Sequence, residues 1–140
     1  MKVELAEMFD RNFEEKGFFG QKWKPRSKNY KQTKGTLMVV TAALRRSIRG
    51  IKYATGVQFT SAMPYAAIHN EGGKFTAHVR AHSRTSRKGN KYAVRAHGRQ
   101  VNMPQRQFVG AHEQVTAAIN DIATRNVTEY FTQLAKELKK

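Results

Sequence analysis

Cysteine is absent from the chain, and that one absence removes disulfides, thiolate metal sites and cysteine nucleophiles together. The fold must hold by packing and hydrogen bonds alone, which suits a reducing compartment. No apolar run approaches the roughly 20 residues that cross a bilayer. The opening MKVELAEMFD sets acids among its apolar positions, unlike a signal peptide. The expectation is a soluble, intracellular protein with no membrane partner. At 140 residues the length is that of one domain, enough to bury roughly two-thirds of its unfolded surface around a single core.

Acids are almost missing from the centre. Residues 16–112 hold twenty Lys and Arg against one carboxylate, Glu71, for a charge of +19; residues 1–15 carry −3 and residues 113–140 are neutral. One carboxylate cannot form the pair that glycoside hydrolysis needs, nor the acid cluster that holds Mg²⁺. Gly72 and Gly73 are followed by Lys74 and Phe75 rather than by the GK[ST] start of a phosphate-gripping helix. His78 and His82 have a zinc spacing for a helix, but the alternation around them predicts a strand, where residues four apart share a face yet lie about 13 Å apart. His69 with Glu71 offers a base and its orienter, and Ser47 or Ser61 a nucleophile. Neither serine, however, sits in the strand, tight turn and helix that would expose it. No catalytic residue, metal or cofactor is expected, and the chain does not read as an enzyme.

What is present is a run of helix and hairpin patterns. Leu5, Met8, Phe9 and Phe13 recur at spacings of three and four, predicting an N-terminal helix over 1–16 that Gly17 and Gly20 stop. GQKWKPRSKNYKQTKG has no periodicity and reads as an extended loop, anchored in the core by Trp23. Thr36 is a candidate N-cap for a middle helix carrying Leu37, Val40, Ala43 or Leu44, and Ile48, with Arg45, Arg46 and Arg49 toward solvent and Gly50 as its stop. Ile51 and Tyr53, then Val57 and Phe59, alternate around Gly56 as a short hairpin.

After Pro64, a single helical turn ending at Gly72 is the simplest local account, with Tyr65 and Ile68 inward, the His69 side chain bonding backbone, and Glu71 as a local counter-charge. Phe75, Ala77, Val79 and Ala81, then Tyr92, Val94 and Ala96, alternate on either side of SRTSRKGN, predicting a second hairpin over 74–100 with a basic tip. Val115, Ile119, Ile122, Tyr130, Phe131, Leu134 and Leu138 predict a C-terminal helix over 112–138 with one apolar side. No internal repeat is evident. The fold class expected is α+β: one domain over 1–140, an antiparallel sheet with a basic hairpin, packed against N-terminal, middle and long C-terminal helices.

Such a cationic body is expected to meet a negative partner. Lys74, Arg80, Arg84, Arg87, Lys88, Lys91, Arg95 and Arg99 lie on the predicted hairpin, interleaved with Phe75 and Tyr92, and can supply phosphate contacts and stacking platforms. Zinc-finger ligands, an RNP-type consensus and a helix-turn-helix are all lacking, which leaves non-specific nucleic-acid binding of a ribosomal or architectural kind as one reading.

A second reading comes from three ordered fragments behind Trp23 and Pro25. Thr41, Leu44, Ser47 and Ile48; then Tyr65, Ala66, Ile68, His69 and Gly72; then Pro104, Arg106, Phe108 and Gly110 resemble the motifs of the phage virion morphogenesis family, over roughly residues 18–112. Two positions depart from the family pattern: Ala42 stands where glycine is usual after the Thr, and Gln107 where proline is usual before the Phe. The resemblance implies a structural subunit that completes the tail or joins it to the head. It would work as a ring, a hexamer, in contact with adjoining head-connector and tail proteins. It implies a place in the virion at the neck or tail end, with assembly in the host cytoplasm, and basic side chains facing either the passing genome DNA or an acidic adjoining ring.

Overall fold

Leu5, Phe9 and Phe13 fall on one stripe of the first helix, α1 (Lys2–Glu15), and all three are buried. The computed structural model describes residues 1–27 and 34–138. Lys16 ends α1 in a left-handed conformation, its N–H returning to the Asn12 carbonyl. Two short strands follow, β1 (Gly17–Phe18) and β2 (Gln21–Lys22). They join through Phe19 and Gly20, both at positive φ, 46° and 91°, the combination that a tight hairpin turn requires. β2 falls inside the predicted loop, since two-residue strands are too brief to show an alternation. Trp23 is 7% exposed and sits in the core as expected. Residues 28–33 of the predicted loop lie outside the described residues.

The segment 37–50 departs most from expectation. Only Ala43–Ser47 is helical, α2. Thr36 does not cap it and pairs instead in an isolated bridge with Val39. Met38 and Ala42 stand at φ 63° and 56°, a left-handed conformation that interrupts any continuous right-handed helix. Leu37, Met38 and Val39 still pack on the core, so their apolar spacing serves a coil wrapped over it, while Val40 is exposed. Gly50 is not a stop. It lies within β3 (Ile48–Tyr53), opposite Phe59 of β4 (Gly56–Ser61), in the antiparallel hairpin that the alternation predicts.

Next come α3 (Ala66–Glu71), β5 (Gly73–Val79), β6 (His82–Thr85), β7 (Lys91–Val94), β8 (His97–Met103) and α4 (Glu113–Glu137). The chain is mixed α+β, as expected, but the strands form four two-stranded antiparallel sheets, β1–β2, β3–β4, β5–β8 and β6–β7, rather than one sheet under the helices. The core lies around α1 instead. One cluster joins Phe13, Trp23, Leu44, Ala66 and Phe108; a second joins Leu5, Phe9, Phe18 and Val115; Val109 packs against both. An edge-on aromatic pair lies within each, Phe13 with Trp23 at 5.6 Å and Phe9 with Phe59 at 4.9 Å between ring centroids, a geometry favoured by the ring quadrupole.

α4 is the long C-terminal helix predicted, capped at its start by His112, whose Nδ1 accepts from the Gln114 N–H at 3.2 Å. Its apolar residues are not all core. Val115 and Ile122 are buried, whereas Phe131 is 60% exposed and Tyr130 and Leu138 more so. Length is the reason. The 25 residues of α4 span about 38 Å and the 14 of α1 about 21 Å at the helical rise, so α4 outruns its support. Arg125, which pairs with Glu4 at 2.9 Å, marks where α1 ends beneath it. Among the described residues no helix is long and apolar enough to cross a membrane.

Candidate functional site

The segment 104–110 runs between β8 and α4 without regular structure, yet five backbone groups along it are held by other segments. Trp23 donates its indole N–H to the Gln107 carbonyl at 2.6 Å, and the Asn12 amide, on α1, donates to the Phe108 carbonyl at 3.1 Å. The Asn70 side-chain oxygen, at the end of α3, accepts from the N–H groups of Phe108 and Val109 at 3.0 and 3.1 Å. The Arg106 N–H reaches the His69 carbonyl at 2.8 Å. Asn12 is 2% exposed and also accepts from the Phe19 N–H. Buried amide side chains of this kind satisfy backbone groups that no ladder serves. Residues 104–110 are therefore a strap tied at once to α1, to the Trp23 loop and to α3.

Arg106 is 6% exposed and has no carboxylate partner among the described residues. Its Nε donates to the Lys24 carbonyl at 2.9 Å and its Nη2 to the Pro25 carbonyl at 3.2 Å. Desolvation first, and the nearby Arg26 cation second, lower its pKa, although a guanidinium stays charged throughout the working range. Gly72 fits where the strap crosses α3. At φ +73° a side chain is strained, and a Cβ there would lie 2.7 Å from the Gln105 backbone nitrogen.

His69 and Tyr65 meet edge to face, ring centroids 5.9 Å apart, on the wall of a groove of about 660 Å³ that Arg106, Arg99, Leu44 and Met103 also line. The expected side-chain bond from His69 to backbone is not made: its Nδ1 is buried with no hydrogen-bond partner among the described residues. The residue holds the junction through its carbonyl instead. Burial, and then the Arg106 cation, push the imidazole below its ordinary pKa. Tyr65 is 41% exposed rather than inward, and Ile68 is half-buried against Gly73. Glu71 is exposed and forms no ion pair among the described residues, so it is not the counter-charge expected.

The first fragment does similar work. Leu44 is core and Ile48 packs on it. Ser47 Oγ donates to the Leu44 carbonyl at 2.7 Å and lies 2.7 Å from Ser61 Oγ, which accepts in turn from the Met63 N–H. The two serines considered as nucleophiles thus bond each other and the backbone. Thr41 is exposed, its carbonyl accepting from Arg46. Ala66 is buried, and Pro104 and Gly110 are half-buried at the ends of the strap. Ala42, where the family has glycine, is left-handed; the position calls for a glycine-like backbone whichever residue fills it. Among the described residues there is no group of three or more His, Asp or Glu placed to hold a metal ion.

The acids of α1 are largely occupied. Arg45, expected toward solvent, is half-buried and grips both carboxylate oxygens of Asp10 as well as Glu14, at 2.8 Å, which together raise its pKa. The eight cations of residues 74–99 have no such partners among the described residues. Lys74, Arg84, Lys91 and Arg99 lie on two ladders in one register, Gly73 opposite Met103 to Val79 opposite His97, then His82 opposite Val94 to Thr85 opposite Lys91, with Arg80 and Arg95 between the ladders and Arg87 and Lys88 beyond them. Nearly every side chain on them is exposed or half-exposed.

The register uncovers a repeat that the sequence reading missed. Val79-Arg80-Ala81-His82 and Val94-Arg95-Ala96-His97 are the same tetrapeptide, and Val79 faces His97 while His82 faces Val94. Each histidine bends back alike, Nδ1 of His82 on the Arg80 carbonyl at 2.8 Å and Nδ1 of His97 on the Arg95 carbonyl at 2.9 Å. Since a carbonyl only accepts, each Nδ1 carries the proton. Four residues repeated at a distance of fifteen give no periodic signal; only a search for identical short words would find them.

The geometry therefore assembles all three fragments into one load-carrying junction and leaves a cationic ribbon outside it. Comparison with curated proteins and with solved structures gives no significant match. Comparison with protein families gives one, over residues 1–128, which contains α1, the strap and every motif residue named above: the chain belongs to the phage virion morphogenesis family.

Proposed function

We propose that the protein, a structural member of a family serving virion morphogenesis, is a ring-forming subunit that completes the phage tail or joins the tail to the head connector without catalysing a reaction. One observation carries the reading. Polar groups of the family motifs hold backbone and one another: Ser47 the Leu44 carbonyl and the Ser61 hydroxyl, the His69 carbonyl the Arg106 N–H, and the Arg106 guanidinium the carbonyls of Lys24 and Pro25. A motif used in this way preserves a shape that partners dock against.

The distal part of α4 supports the ring. Tyr130, Phe131 and Leu138 are each more than half exposed, an apolar surface that a solitary chain has no cause to keep. In this reading further copies of the chain cover it, and head-connector and tail proteins meet the rims of the ring. Native mass spectrometry of the neck complex released from disrupted particles tests this directly. The reading predicts a closed multiple of the 16.0 kDa chain, six copies for a hexamer; a single copy per particle contradicts it.

A further inference from the structure

The geometry points to the phosphate backbone of double-stranded DNA as the ligand of the β5–β8 and β6–β7 ribbon, inserted so that its two faces meet the two strands across a groove. The inference adds a ligand to the virion reading and is tested without it.

Charge comes first: no acid occurs between Glu71 and Glu113. How the charge is placed matters more. Successive strand residues point to opposite faces, so in β5–β8 Lys74 and Arg99 lie on opposite faces, and in β6–β7 Arg84 and Lys91 do. Each faces a neutral neighbour, Asn102, Ala77, Tyr92 and Thr85 respectively. Like charges directly opposite would destabilise the pairing; this arrangement avoids them while charging both faces.

Symmetry is the second observation. The two Val-Arg-Ala-His words cross in antiparallel register with matching histidine bonds, which relates Arg80 to Arg95 by a local two-fold axis. Arg80 and Arg95 thus offer one equivalent cation from each strand of the ribbon, independent of the DNA sequence. The major groove of B-DNA, about 12 Å wide, admits a two-stranded ribbon, whereas the major groove of duplex RNA is too deep and narrow.

The test is binding of the full-length protein to a labelled 30-base-pair duplex by fluorescence anisotropy over a salt series, with melting curves to show that each variant folds. We expect a linear fall of log affinity with log salt. Lys74→Gln and Arg99→Gln, on opposite faces of β5–β8, and Arg84→Gln and Lys91→Gln, on opposite faces of β6–β7, should each reduce that slope by about 0.9, one phosphate contact. Arg80→Gln/Arg95→Gln should reduce it by about 1.8. Equal slopes in wild type and every variant, loss confined to one face of either sheet, or tighter binding to polyglutamate than to duplex would each overturn the inference. Failure there leaves the structural reading standing, because that reading is decided on particles rather than on DNA.

Discussion

Trp23 and Gln107, 84 residues apart in the chain, are joined by an indole N–H donating to a backbone carbonyl at 2.6 Å. Gln107 stands where the family carries proline, so no ring fixes the backbone at that position. The bond shows how the strap is fixed regardless: from outside, by side chains of other segments. Trp23→Phe keeps most of the packing against Phe13 but leaves a carbonyl without its donor. We predict a loss of about 1–3 kcal/mol, read as a lower urea midpoint at unchanged slope. An unchanged midpoint would detach Trp23 from the strap.

Ala42 offers the opposite case, a residue in a backbone conformation that suits glycine. The left-handed region costs an L-residue roughly 1–2 kcal/mol, partly offset by the greater freedom glycine has when unfolded. Ala42→Gly should therefore stabilise the chain by about 0.5–1 kcal/mol, seen as a higher melting temperature. Destabilisation would mean that the methyl group makes contacts worth more than the strain.

Phe13 and Phe131 separate core from surface. Phe13 is 2% exposed and contacts Trp23 and Phe108; Phe13→Ala should cost about 3–5 kcal/mol. Phe131, 60% exposed, should change the stability of the isolated chain by no more than about 0.5 kcal/mol when replaced by Ala, yet weaken assembly into the proposed ring. Equal destabilisation by the two substitutions would place the end of α4 in the core after all.

That contrast shows where the sequence was legible. The stripe Leu5, Phe9, Phe13 and the anchor Trp23 could be read because periodicity and bulk act locally. The apolar residues of α4 have the same periodicity, but periodicity reports a face and not what covers it. Whether Phe131 is buried depends on the length of α1, set more than a hundred residues earlier. The middle helix was over-read for a related reason. Leu37, Met38 and Val39 face the core, as helical spacing suggested, while the left-handed turns at Met38 and Ala42 leave no mark in residue type. In the site, the fragments could be found as words, but their roles could not: that Arg106 binds carbonyls follows from Lys24 and Pro25 folded against it, and that His69 works through its backbone follows from the Arg106 N–H brought to its carbonyl.

His69 gives a pH prediction with a definite sign. Its folded-state pKa lies below the ordinary value because burial, then Arg106, disfavours the charged ring. The unfolded chain therefore takes up the proton at higher pH than the folded chain. The contribution of His69 to stability is complete above the ordinary histidine range, near 6.5, and declines as pH falls through it toward the folded value. Chemical denaturation of wild type and His69→Gln at pH 7.5 and pH 5 isolates the effect, since other groups cancel in the difference. The wild type should lose more stability than the variant on acidification; a larger loss in the variant would reverse the sign.

The central claim is that this protein is a structural part needed to finish or join the virion, and electron microscopy of particles made in its absence tests it most directly. The account predicts filled heads and separate tails that fail to join or end correctly, restored by the wild-type chain supplied in trans. Normal, infectious particles formed without the protein would contradict it.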